Sequence, residues 1–351
     1  MFLVVNYVDN ITFVNNKEEI IMKAIAINGH GDVNVLHEIE VDAPKSKRGH
    51  VVIDVKATSV NPVDTKIRQG SEGTAGMTYP AILHMDVSGV ISEVGEGVTN
   101  FKIGDEVYGC VGGIVGIPGT LADKVEADAV LLAHKPKTLS FGEAASLPLV
   151  AITAWEAIIG RAEIQPSDRV LVHGGTGGVG HIGLQLAKAL GAHVTTTVAD
   201  EARAEIAKQL GADETVLFPT EEPKEYVERL TNGQGFDTVF DTVGGPVLQN
   251  SLIAAKLKGH VISTIGYADY NLTEMHFKAL RLDLVFMAIS IIHNIDRETH
   301  GDILRRLAGL VDKGQVKPLI DSVFPLTLQG VKDAHTRLES GLATGKIVIE
   351  R

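Results

Sequence analysis

A chain of 351 residues has room for two domains with their own cores, and 44% hydrophobic with 22% charged residues is ordinary for a water-soluble globular protein. A net charge of −12 argues against nucleic acid or an anionic membrane as the main partner. Cys110 is the only cysteine, so neither an internal disulfide nor a multi-cysteine metal site can form, which fits a reducing cytoplasm. No apolar run reaches the roughly 20 residues of a membrane span, since 282–292 is short and carries Asp283. The N-terminus lacks the basic region of a secretory signal.

Residues up to about 148 read as strands and loops. In 51–57 the apolar Ile53, Val55 and Ala57 alternate with Asp54 and Lys56, the period of a half-buried strand. The runs 87–94 and 105–111 are β-rich and bounded by glycines, and such closely spaced strands predict a small barrel-like β domain. From about 149, strands near 169–172, 193–198, 214–217, 236–241 and 260–264 alternate with helices near 179–190, 201–210 and 222–231. That succession predicts an α/β doubly wound parallel sheet. The tail from about 300 is mixed and ends in a strand-like run at 346–349.

Within this second half, His173-Gly174-Gly175-Thr176-Gly177-Gly178-Val179-Gly180 contains G-x-G-x-x-G as Gly175, Gly177 and Gly180. A predicted strand precedes it, and Val179, Ile182, Leu186 and Ala189 follow at helical spacing, with Gly191 where a C-terminal cap falls. Strand, glycine turn and helix N-terminus together make an anion cradle for a dinucleotide pyrophosphate. The acidic residue that selects NAD is expected about 20 residues on, where Val198 stands instead. Asp200 and Arg203 follow, and an arginine there can fork onto a 2′-phosphate, which favours NADP. The alternative is that Asp200 caps the next helix and Arg203 is solvated.

Three more ordered motifs accompany the turn: Asn61-Pro62-Val63-Asp64-Thr65-Lys66-Ile67-Arg68-Gln69-Gly70, Asp86-Val87-Ser88-Gly89-Val90, and Leu147-Pro148 through Ala154-Trp155. The set, spanning Met22 to about Arg351, resembles the medium-chain dehydrogenase/reductase superfamily, and more closely its zinc-free quinone oxidoreductase and enone reductase branch. The resemblance implies a GroES-like β-barrel domain (22–148 and 299–351) clasping a Rossmann domain (149–298), with NADPH in the cleft. It also implies an N-terminal extension of residues 1–21, because Met22 resembles the family's usual start. Zinc-dependent relatives need a Cys, a His and a second Cys at positions that are Asn61, Met85 and Leu149 here, none a useful zinc ligand. His293 and His300, seven apart, fit one helix face without a third ligand. No Tyr-x-x-x-Lys of the short-chain dehydrogenases occurs.

Without zinc to polarise a carbonyl, the accessible chemistry is hydride delivery to an acceptor that is already electron-poor, a quinone or an α,β-unsaturated carbonyl. By resemblance Asn61 faces nicotinamide and acceptor and donates to the developing oxyanion; otherwise it only shapes the Asn-Pro turn. Lys66 departs from the bacterial quinone reductase tyrosine and matches plant enone reductases, where it either stabilises an enolate or lies solvated on a short helix. Asp64 and Arg68, four apart, are expected to pair and organise the loop. Thr153 resembles a threonine at the nicotinamide ring, and Phe218 replaces a tyrosine that contacts the adenosine phosphate. Thr242, Gly244, Ile265 and Gly266 fall at strand ends on the cofactor side. The resemblance further implies a homodimer paired near the apolar 282–287. Reduction of another activated alkene, such as an acyl-thioester or haloacrylate, and non-enzymatic NADPH binding stay open as alternatives.

Overall fold

The computed structural model describes residues 21–351. The expected extension lies outside the described residues except for Ile21, which opens the first strand, Ile21–Ile27. The alternation at 51–57 belongs to an 11-residue strand, His50–Val60, in which Val51, Ile53, Val55 and Ala57 are buried and Lys56 is exposed. Its length lets it pair antiparallel with Lys346–Glu350, Asp86–Val94 and Lys124–Asp128 along different stretches. The resulting seven-stranded sheet runs Ile320–Pro325, Lys346–Glu350, His50–Val60, Asp86–Val94, Glu106–Cys110, Leu132–His134, with Lys124–Asp128 beside His50–Val60. The C-terminal strands thus return to the sheet that the first half of the chain builds. A three-stranded sheet of Leu36–Asp42, Ile21–Ile27 and Ala81–Ile82 completes this half.

The second sheet has six strands in the order Glu214–Leu217, His193–Val198, Arg169–His173, Phe236–Asp241, Ala255–Ser263, Arg281–Leu284, every neighbouring pair parallel. Strand order reverses between Arg169–His173 and Phe236–Asp241, so the loops leaving them diverge and open a crevice at the carboxyl ends. The buried helix Pro148–Ile158 joins the two halves. It packs on the helices Gly180–Ala189 and Glu298–Asp312 and on the strands Asp86–Val94 and Glu106–Cys110.

The apolar run at 282–287 divides between two environments. Val285 and Met287 enter the core, whereas Leu284 and Phe286 beside the edge strand are 52% and 57% exposed. The expectation that His293 and His300 share a helix face is corrected. Asn294 adopts a left-handed φ of 55° and ends the helix Ile289–His293, leaving His300 buried in the next one.

Candidate active site

The glycine turn lies where the parallel sheet opens. The strand Arg169–His173 ends at a Gly174 with φ 72°, and the helix Gly180–Ala189 starts behind Val179. The glycines serve different ends. A Cβ on Gly175 would stand 2.0 Å from Thr196 Oγ1, and one on Gly180 would stand 2.1 Å from the Gly174 carbonyl. Both are therefore demanded by the protein's own packing rather than by an approaching pyrophosphate. Gly177 meets only the Gly174 carbonyl at 3.1 Å, and Gly178 faces the Lys346 stem at 3.3 Å. The Thr176 carbonyl accepts from the Gly345 N–H at 2.8 Å, so the turn is tied to the C-terminal strand of the other half.

A cleft of about 240 Å³ lies beside the turn, with His173, Gly174, Thr197, Phe218, Val243 and Asn250 in its walls. His173 Nε2 is buried there without a partner. Thr242 hydroxyl donates to the His173 carbonyl at 2.7 Å, and Gly244, at φ 75°, receives Ile265 so closely that a Cβ would lie 2.5 Å from it. Gly266 is held as tightly by Leu284 at 2.6 Å. Thr153 is buried and its hydroxyl donates to the Leu149 carbonyl one helical turn back. Phe218 is 59% exposed in the cleft wall.

Asp200 caps the helix Glu201–Gln209, accepting the Arg203 N–H at 2.8 Å. The Arg203 guanidinium is partly buried and fully partnered. It bonds to the Asp200 carboxylate, donates to Thr344 Oγ1 at 3.1 Å, and donates to the Leu342 carbonyl at 3.1 Å. The helix cap expected of Asp200 is therefore present, and the arginine is tethered to the C-terminal segment.

Asn61 starts the helix Pro62–Gln69 and is fully buried. Its Nδ2 donates to Asp86 Oδ2 at 2.8 Å and its Oδ1 accepts from Lys346 Nζ. Both ends of the amide are thus engaged within the protein, an arrangement that suits the reading in which Asn61 shapes the turn. Asp86 also accepts from Ser59 Oγ and from the Leu149 N–H, each at 2.8 Å, so one carboxylate gathers the strand, the helix start and the buried helix. Lys346 Nζ lies 3.7 Å from it and donates to the Val60 carbonyl. Burial lowers the Lys346 ammonium below the ordinary lysine value against the attraction of Asp86 and Asp64. None of this network beyond Asn61 was legible as function. Lys346 read only as the first residue of a strand.

The expected Asp64–Arg68 pair does not form. Asp64 turns to the helix start and accepts the Asn61 N–H at 2.7 Å, the reciprocal arm of a capping box. Burial pushes its carboxyl up to about 7 against that hydrogen bond. Arg68 points the other way, to the Gly31 carbonyl at 2.6 Å, to Glu339, and to His335 Nδ1 at 3.4 Å. A guanidinium only donates, so His335 Nδ1 accepts and its proton sits on Nε2, facing His84 Nε2 at 2.8 Å. His84 is thus a packed histidine whose partner lies 251 residues away.

Lys66 bridges the two halves of the chain. Its Nζ donates to Glu72 Oε1 at 2.9 Å and to Tyr267 Oη at 2.6 Å, and Tyr267 stands just past Gly266 on the dinucleotide side. Burial works against the Lys66 charge, but the bonds to Tyr267 and Glu72 outweigh it and hold the pKa above the usual lysine value. Tyr267 and Glu72 had no motif to mark them.

Residues 47–137 match the alcohol dehydrogenase GroES-like domain, and 178–298 match the zinc-binding dehydrogenase family. The chain is 34% identical over 334 residues to an NADPH-dependent alkenal/one oxidoreductase of Arabidopsis thaliana, covering 93% of this chain and 79% of that one. It is 35% identical, over the same shares, to a 2-methylene-furan-3-one reductase of Solanum lycopersicum. An alcohol dehydrogenase superfamily protein from Novosphingobium aromaticivorans superposes with a TM-score of 0.88 at 36% identity, covering 95% of this chain and 100% of that one. Quinone oxidoreductase of Escherichia coli complexed with NADPH gives 0.81 at 26% identity, over 94% and 100%. Despite the zinc-binding family description, the ligand positions hold Asn61, Met85 and Leu149, and the described residues contain no cluster of three His, Cys, Asp or Glu side chains suited to a metal. The chain belongs to the medium-chain dehydrogenase/reductase superfamily, in its zinc-free quinone oxidoreductase and enone reductase branch.

Proposed function

We propose that this protein transfers hydride from NADPH to quinones or α,β-unsaturated carbonyls without zinc. The observation that carries the reading is the buried network around Asp86. Where zinc relatives place metal ligands, this chain stitches Asn61 and Leu149 together through Asp86 and fills the space with Lys346. That donor set cannot hold a Lewis acid, so the acceptor must be electron-poor already. NADPH supplies the hydride when bound. The helix N-terminus at Gly180 and the turn Gly175–Val179 suit its pyrophosphate, and Thr153, Thr242, Gly244, Ile265 and Gly266 suit its nicotinamide end. Phe218 suits the adenosine end. Arg203 meets a 2′-phosphate by exchanging Thr344 and Leu342 for it. On the acceptor side the Lys66 ammonium stands where negative charge develops.

The relatives' names, alkenal/one oxidoreductase, 2-methylene-furan-3-one reductase and quinone oxidoreductase, support this reading. We assign residues 22–148 with 299–351 to acceptor binding and 149–298 to the dinucleotide. We further propose a homodimer at the edge strand Arg281–Leu284, beside which Leu284, Phe286 and Ile289 are exposed. Light scattering at micromolar concentration should give twice the chain mass, and a monomer would refute it. No helix of the described residues is long and apolar enough to cross a membrane. A cytoplasmic location stands as a proposal, tested by fractionation, alongside relatives named chloroplastic or mitochondrial.

The test is a panel of 9,10-phenanthrenequinone and simple enones with NADPH or NADH, before and after chelator treatment. NADPH should be oxidised with both acceptor classes, and chelation should leave the rate unchanged. Turnover with neither, or activity that chelation removes and zinc restores, would overturn the assignment.

A further inference from the structure

We propose that Tyr267 is the proton donor of enone reduction, poised by Lys66 and Glu72; this rests on the function proposed above. Three groups close a ring. Lys66 Nζ donates to Tyr267 Oη at 2.6 Å and to Glu72 Oε1 at 2.9 Å, and Tyr267 Oη donates to Glu72 Oε1 at 2.7 Å. Lys66 Nζ also stands 5.3 Å from the centre of the Tyr267 ring.

Location gives this ring its meaning. Tyr267 follows the carboxyl end of the strand Ala255–Ser263, on the side where parallel sheets take their ligands. Lys66 comes from the helix Pro62–Gln69 of the opposite half, 201 residues away in sequence. The two halves therefore touch at Tyr267, a residue that is itself 65% exposed. An exposed ion pair held by long side chains contributes little to stability. A tyrosine clamped by a cation and an anion between the two halves, beside the carboxyl end of the parallel sheet, is better explained by what it does to an acceptor there. The sequence has no Tyr-x-x-x-Lys, yet the fold assembles a tyrosine–lysine pair from distant segments.

The chemistry balances. Hydride adds to the β-carbon of the enone, and the electron pair of the C=C bond moves onto the α-carbon and carbonyl oxygen as an enolate. The enolate takes the Tyr267 proton, so a C–H bond forms at the α-carbon and the phenol O–H bond breaks. The phenolate is left beside the Lys66 ammonium, which stabilises it until water returns a proton. The sum is NADPH, a proton and the enone giving NADP⁺ and the saturated carbonyl. A quinone needs the donor less, because the hydroquinone anion is a weak base that collects its proton from water. Glu72 holds the phenol in place and is a positioning residue.

Steady-state kinetics of Tyr267→Phe and Glu72→Gln, with NADPH and either but-3-en-2-one or 9,10-phenanthrenequinone, test the proposal. General acid catalysis contributes about 10²- to 10⁴-fold, so Tyr267→Phe should lower kcat for the enone by about 100-fold or more. Quinone kcat should fall by less than about tenfold, and the solvent deuterium isotope effect on enone turnover should rise, because protonation of the enolate by water then limits the rate. Glu72→Gln should cost less than Tyr267→Phe. A wild type that reduces both acceptors, with Tyr267→Phe keeping enone kcat within twofold or losing both activities equally, overturns the proton-donor role alone. A wild type that oxidises NADPH with neither acceptor overturns the functional reading and this proposal with it.

Discussion

Arg203 shows how a residue's position can be legible while its partners are not. Its distance past the glycine turn was legible in the chain, but the Thr344 hydroxyl and Leu342 carbonyl that hold it lie about 140 residues further on. A 2′-phosphate offers a charged acceptor in place of two neutral ones, and hydrogen bonds to charged groups contribute about 1.5–3 kcal/mol. Arg203→Ala should therefore weaken NADPH by about that much and NADH far less, as read by fluorescence titration. Thr344→Val removes one restraint on the unliganded guanidinium and should leave NADPH affinity equal to or tighter than wild type. Equal losses for both dinucleotides in Arg203→Ala would end the assignment. Asn61 is a second case: the residue was legible, and its burial between Lys346 and Asp86 was not.

At the scale of an element, residues 342–346 run along the dinucleotide wall. Leu342 and Thr344 hold Arg203, Gly345 bonds the glycine turn, and Lys346 enters the Asn61–Asp86 network. The strand Lys346–Glu350 is thus a seam between the halves as well as part of a sheet. Its charged member is buried, and removing one partner of a buried pair strands the other charge at a cost of about 3–5 kcal/mol. Lys346→Met should lower unfolding stability by about that amount in urea, and adding Asp86→Asn should recover part of the loss, because the orphaned carboxylate is then gone. Additive losses would show that the two side chains do not act as a pair.

For the molecule as a whole, acid sensitivity follows from histidines enclosed by the fold. Burial holds His335 near 3, His173, His181 and His300 near 4, and His84 well below its usual value. In the unfolded chain each takes a proton as pH falls below about 6.5, whereas the folded protein takes none until much lower. Their folded pKa values are depressed, so their contribution is full above about pH 6.5 and is lost as pH falls toward 4. The single Asp64 carboxyl, raised to about 7, works in the opposite direction without matching five histidines. Each histidine contributes a slope of up to about 1.4 kcal/mol per pH unit. Urea midpoints should fall steadily from pH 7 to 6 to 5. A midpoint constant over that interval would contradict the buried, neutral assignment.

What the chain alone determined was local and periodic: alternation at 51–57, the alternating strands and helices from 169 to 241, the glycine turn, and Asp200 at a helix start. Each depends on neighbours within a few residues, where backbone geometry and side-chain spacing act directly. The motif set also placed the chain in its family and showed that zinc ligands were missing. Tertiary structure decided what long-range partners decide. It turned Asp64 away from Arg68, paired His84 with His335, closed Asn61 off behind Lys346, and set Tyr267 against Lys66. Those contacts join residues 201–285 positions apart in all but the first case, and hydrogen bonds at such separations leave no periodic trace in the sequence.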